Sequence, residues 1–209
     1  MGLRRAAAWA AVLGVPGLAH AHHAMDRALP VTDWQGFVSG LAHPVIGLDH
    51  LAFVLAAGVL AAEARRRPGV LALLAFVGAG AAGTGLHLAG IGLGPVEAIV
   101  ALTALGAGLA LAAAPGTRRP GGGALALAFA IAGLFHGHAY AEAVVGAQPG
   151  PIGAYLVGLA IVQGAIGLGA MEAARRLGRP EALGPLLPRR AVGVVSAFVG
   201  VVALAGALA

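Results

Sequence analysis

Six apolar stretches dominate this chain, at about 37–61, 69–90, 96–114, 124–146, 152–173 and 191–208. Each is close to the ~20 residues that cross a ~30 Å hydrocarbon core as a helix. Backbone polar groups in hydrocarbon must bond within their own segment, so continuous apolar stretches of this length fold as helices. Charged residues are 10% of the chain and hydrophobic residues 59%, against about 25% charged in a soluble domain. The connecting segments set the orientation. The 63–68 loop holds three arginines, 115–123 two and 174–190 five, whereas 91–95 and 147–151 hold none. Basic loops stay on the cytoplasmic side, so the sequence predicts an all-α membrane protein of six transmembrane helices with both mature ends outside.

Residues 1–21 read as a cleavable signal peptide. Arg4-Arg5 form a basic start, Ala6 to Leu13 a short apolar core, and Ala19-His20-Ala21 a small-x-small cleavage site. The mature chain, 22–209, is then one transmembrane domain, with 22–36 as a polar external segment. Three spans followed by three spans give two halves of opposite orientation, each with a polar cluster in its first helix. That layout suits a pair of inverted three-helix repeats around a midplane site. The 35 glycines include Gly36-x-x-x-Gly40 and Gly133-x-x-x-Gly137, spacings that let membrane helices approach closely. The Gly-rich faces leave a homo-oligomer open.

Several function classes are excluded by composition. There is no Cys, hence no disulfide or thiolate ligand. There is no Lys either, so a Gly-Lys-Ser/Thr phosphate loop cannot be built. The arginines mark topology and aromatics are few, which argues against a nucleic-acid partner. The lipid bilayer is the expected partner surface.

Two clusters carry the chemistry. His43-Pro44-Val45-Ile46-Gly47-Leu48-Asp49-His50 lies in the first span and Phe135-His136-Gly137-His138-Ala139-Tyr140-Ala141-Glu142 in the fourth. Both fall near the middle of their spans. A charged side chain at a helix centre costs about 2.5–3.5 kcal/mol on insertion scales, so such groups face partners or a pathway. His138 and Glu142 are four apart and would share a face of a regular helix. His43 and His50 are seven apart, about 10 Å along a regular helix, and can serve one ion only if the helix breaks; Pro44 and Gly47 are where it could. Imidazole with carboxylate suits Ni²⁺, Co²⁺, Zn²⁺ or Mn²⁺ and disfavours Cu(I). The two clusters are therefore expected to meet and handle a divalent metal ion.

Other polar groups have blander readings. His87, near the outer end of span two, reads first as an interhelical hydrogen-bonding group, as does Gln163 in span five; a ligand role for His87 stays open. His22 and His23 read as a tail that could also capture a metal. Glu63, Glu97 and Glu172 sit at span ends, solvated or paired with arginines.

The motif His43-Pro44-x-x-Gly47-Leu48-Asp49-His50, followed by Phe135-His136-Gly137-His138-Ala139-Tyr140 and Glu142, resembles the HupE/UreJ family. Leu86-His87-Leu88-Ala89-Gly90 fits it as well. Members are small bacterial membrane proteins with a cleaved signal peptide, regarded as secondary permeases for nickel and, in some cases, cobalt. The resemblance implies a site in the bacterial cytoplasmic membrane formed by His43, Asp49, His50, His136, His138 and Glu142. It implies Ni²⁺ or Co²⁺ as the transported ion, no permanent cofactor and no enzyme activity. Tyr140 and Ala141 depart from a common form of the second motif, in which His and Gly stand at these places, and this leaves nickel against cobalt open. Two rival functions also remain: a metal-binding accessory or delivery protein without flux, and a bis-His haem membrane protein. An intramembrane protease is disfavoured, since Ser39 and Ser196 are the only serines and no His-Glu-x-x-His occurs.

Overall fold

The computed structural model describes residues 28–113, 121–177 and 186–209. The expected signal segment, His22 and His23 lie outside the described residues. Helix α1 is Asp33–Ile46, α2 Leu48–Glu63, α3 Arg66–Leu88, α4 Val96–Ala112, α5 Gly122–Tyr140, α6 Pro149–Leu177 and α7 Leu186–Ala207. A single 3-10 turn, Ala141–Ala143, follows α5, and there is no strand among the described residues.

Helix α1 begins at Asp33, earlier than the apolar stretch suggests, because Thr32 closes a capping box. Its hydroxyl accepts from the Gln35 N–H at 3.2 Å while the Gln35 side chain accepts from the Thr32 N–H at 3.2 Å. The first span is not one rod: α1 and α2 meet at Gly47 with a bend of 78°. Four helical segments, Arg66–Leu88, Gly122–Ala143, Pro149–Leu177 and Arg189–Ala207, are long and apolar enough to cross a membrane, and the bent pair makes a fifth when its two helices are counted as one span. The remaining apolar helix, Val96–Ala112, has 17 residues, about 25 Å of rise, and falls short of that length. Outward faces carry Leu71, Leu74, Leu102, Leu109, Leu127, Ile131, Val157, Ile161, Val194 and Phe198, all exposed. An apolar exterior distributed over successive long helices is the surface of a multi-pass membrane protein.

Helix α2 is central, packing against α3, α4, α6 and α7, while the other helices pair closely as α1 with α6, α3 with α5 and α4 with α7. Glycine permits the first two pairings. A Cβ at Gly36 or Gly40 would strike the carbonyls of Pro151 or Tyr155, and one at Gly158 the carbonyl of Phe37. In the other pair, a Cβ at Gly133 or Gly137 would strike the carbonyls of Phe76 or Gly80, and one at Gly83 the carbonyl of Leu134. The spacings are identical: residues 36, 37 and 40 of α1 match 133, 134 and 137 of α5, and 151, 155 and 158 of α6 match 76, 80 and 83 of α3. Both pairs run parallel, as the contact order requires.

At the opposite end of the bundle from α1's start, Arg189 bonds Glu63 at 2.6 Å. It also donates to the carbonyls of Leu111, Ala113 and Ala110. Those carbonyls are left without intrahelical donors where α4 ends, so one guanidinium ties α2, α4 and α7 together. Glu172 pairs with Arg176 at 3.0 Å. Glu63 and Glu172 are thus arginine-paired, one of the two alternatives expected of span-end acids.

Candidate metal centre

The break at Gly47 builds the first half of the site. Pro44 has no N–H for the turn before it, and Gly47 leaves the helical conformation at φ −73°, ψ 97°. The chain restarts at once as α2, with the Leu51 N–H bonding the Gly47 carbonyl at 2.8 Å. A Cβ at Gly47 would lie 2.7 Å from the His50 ring, so any larger residue there would push that ring out of its place against the break. The rings of His43 and His50 stand 6.1 Å apart between centroids, well inside the separation a regular helix would impose. Asp49, 7% exposed, lies in the first turn of α2, where its carboxylate accepts from the His50 N–H at 2.9 Å. A carboxylate is favoured there by the partial positive charge of the helix start.

Helix α5 brings the second half. His136 is fully buried, with its Nδ1 2.7 Å from His50 Nδ1, so the two clusters meet as expected. Phe53 and Phe76 wall the His136 ring at 4.6 and 5.6 Å. Tyr140 lies over the histidines, with its ring 4.2 Å from His50 and 5.1 Å from His43. Its buried hydroxyl makes no hydrogen bond of normal geometry, although the Gln163 side chain lies near enough to act on it.

Hydrogen-bond bookkeeping assigns the ring protons. The Tyr155 hydroxyl gives its one proton to the Tyr140 carbonyl at 2.8 Å, so it must accept from His43 Nδ1, also at 2.8 Å. That leaves the His43 lone pair on Nε2. Thr103 gives its proton to the Val100 carbonyl at 2.7 Å and accepts from His136 Nε2 at 2.8 Å, leaving the His136 lone pair on Nδ1, toward His50. His138 Nε2 donates to the Ile91 carbonyl at 3.0 Å, leaving its lone pair on Nδ1. Metal-binding histidines characteristically have the second ring nitrogen held in this way.

The six expected ligands do not all converge. His43, Asp49, His50 and His136 gather at the break. His138 turns away and pairs with His87, Nδ1 to Nδ1, at 3.1 Å. The helical register that would align Glu142 with His138 stops at Tyr140, and the tighter 3-10 turn carries Glu142 to an exposed position. Among the described residues no three His, Asp or Glu side chains are drawn together closely enough to hold one ion. Sequence reasoning missed Tyr155 and Thr103, and gave Tyr140 a place in the second motif without a role in the site. The chain has only two tyrosines, and both line this cluster; that scarcity was the available signal.

Comparison with known proteins gives a consistent picture. The family model described as HupE / UreJ protein matches residues 10–203. Protein HupE of Rhizobium leguminosarum bv. viciae is 34% identical over 130 residues, which cover 62% of this chain and 63% of that protein. The match thus spans somewhat under two thirds of the relative's own length. No solved structure matches the chain.

Proposed function

We infer the function from one premise: this chain belongs to the HupE/UreJ family, which is associated with nickel and cobalt transport. On that premise the chain is a secondary permease that moves a divalent transition metal ion, Ni²⁺ or Co²⁺, inward. His43, Asp49, His50 and His136 take the ion at the broken first span by drawing closer together than they stand in the ion-free chain, with His138 and Glu142 on its path. The observation that carries this reading is the set of held imidazoles. His43, His136 and His138 each have one ring nitrogen tied to a protein acceptor, and Asp49 is buried at the start of α2, bonded to the His50 N–H. Ordinary packing needs no such consistent tautomer control, whereas metal ligation does.

Two imidazole nitrogens on adjacent corners of one ion, each at about 2.0–2.1 Å, stand about 3 Å apart. The His50–His136 separation of 2.7 Å therefore has to open by only a few tenths of an ångström. His50 would move its proton from Nδ1 to Nε2, with no net proton released. Asp49 supplies negative charge where no water can.

Six crossings, with α1 and α2 as one broken span and α4 as a short one, accommodate the one-sided arginines. The matched glycine contacts of the two parallel pairs support inverted halves, which in transporters flank a midplane site. In that register His43, seven residues after Gly36, corresponds to Tyr140, seven after Gly133. Proteoliposomes containing the full chain should take up labelled Ni²⁺ or Co²⁺. Binding without uptake would leave an accessory or delivery role, and a Soret band in the purified protein would point to haem.

A further inference from the structure

We propose that His87 and His138 form a second, separate metal station at the outer end of the bundle, where a divalent cation is captured before it reaches the buried cluster. This deepens the permease reading and rests on it only for the direction of travel.

Separation follows from the helix. His136 and His138 are two residues apart on α5, and residues at that spacing face different sides. Gly137 between them is clamped: its carbonyl accepts from the Thr84 hydroxyl at 2.7 Å, and a Cβ on it would strike Gly80. The helix cannot unwind locally to turn both rings to one ion. One ring thus serves the inner pair and the other the outer pair.

The outer pair is built. The rings of His87 and His138 lie 4.3 Å apart, and their Nδ1 atoms at 3.1 Å already match the spacing of two nitrogens on one ion. The helix end fixes the acceptor that orients His138. Gly90, at φ +76°, takes the left-handed conformation that closes α3. Its N–H bonds the His87 carbonyl at 2.8 Å, and the Ile91 N–H bonds the Leu86 carbonyl at 2.9 Å. This Schellman closure folds the chain over α5 and holds the Ile91 carbonyl against His138 Nε2. The lone pair of His138 Nδ1 then faces His87.

His87 Nδ1 also lies 2.9 Å from the His138 carbonyl, so it holds a proton in the metal-free chain. A cation between the rings takes the place of that proton, which moves to His87 Nε2 without net release. His87 is half-buried, whereas His136 is fully enclosed. No carboxylate hydrogen-bonds either ring in the contacts described, so water completes the coordination and binding is weak. Weak, accessible and neutral is what a capture site needs, because the ion must leave it inward.

The purified full-length chain is titrated with Co²⁺, following the visible absorption of the ion and the bound stoichiometry by calorimetry. Wild type should bind two ions with distinct affinities. His87→Gln keeps a donor toward the His138 carbonyl and should lose the weaker ion alone. His138→Gln keeps a donor toward the Ile91 carbonyl and should lose the same one. In uptake, His87→Gln should raise the half-saturating concentration about tenfold, with a much smaller effect on the maximal rate. Two ions bound without any uptake would uphold the station and sink the permease reading. A single ion in wild type that both variants retain, or two undiminished ions in both variants, would overturn the station.

Discussion

Replacing Tyr155 by Phe removes one oxygen and keeps the ring. The hydroxyl is fully buried and makes two bonds of 2.8 Å, accepting from His43 Nδ1 and donating to the Tyr140 carbonyl. Phe deletes one hydrogen bond to a buried N–H and one to a buried carbonyl, and losing a partner at a buried polar group costs about 1–3 kcal/mol. It also frees His43 to change tautomer and swing. Loss of such a group behind a metal-binding histidine typically weakens affinity 10–100-fold, or about 1.4–2.8 kcal/mol. Calorimetric binding of Ni²⁺ to purified Tyr155→Phe, with uptake normalised to folded protein, should show that loss beside a lowered unfolding temperature. A lowered unfolding temperature with wild-type affinity and uptake would show that Tyr155 is structural and that His43 is not a ligand, refuting the reasoning.

Thr103→Val keeps the side-chain shape and deletes the acceptor of His136 Nε2, so uptake at limiting ion should fall about tenfold or more. Gly36→Ala and Gly83→Ala each place a methyl on a carbonyl of the neighbouring helix, one in each of the two matched pairs, whereas Gly78 has open space around it. The first two should each cost about 1–3 kcal/mol in thermal unfolding, with Gly78→Ala near neutral; a neutral Gly83→Ala would contradict the matched packing. Arg189→Gln loses Glu63 and the donors to the α4 carbonyls. It should destabilise by about 1–3 kcal/mol, since hydrogen bonds to charged groups carry that much. Reporter fusions after Arg67 should read cytoplasmic and one after Gly150 external; a reversal would contradict the proposal of six crossings.

The parts of the site that were legible in the sequence were those set by local chemistry. Pro44 and Gly47 are poor helix interiors whatever surrounds them, so the place where a break could fall between His43 and His50 was legible, but not that the helix breaks there. The meeting of the two clusters followed from the cost of unpartnered charge in hydrocarbon, since Asp49 and the histidines need one another. The division of the histidines was not legible. It depends on which face of α5 meets α2 and which meets α3, and an apolar helix with small residues all round gives no facing signal. Glu142 was misaligned with His138 because apolar sequence continues past Tyr140 and hides the change to a 3-10 turn. Thr103 and Tyr155 stand alone in apolar spans, where a single hydroxyl reads as a self-satisfied side chain. His87 was visible as a polar group, but its partner was fixed by the turn at Gly90.

Asp49 offers the most direct test of the central claim. Its carboxylate accepts one backbone N–H at 2.9 Å, and Asn keeps an oxygen at that place while removing the charge. Insertion into the bilayer should become easier, so the variant should be made at least as well as wild type. The decisive measurement is Ni²⁺ and Co²⁺ uptake by proteoliposomes holding equal amounts of folded wild-type and Asp49→Asn protein. Uptake by wild type and its collapse in the variant is the predicted result. Equal uptake by both would mean that the buried carboxylate is packing and that the ion does not pass through the cluster at Gly47.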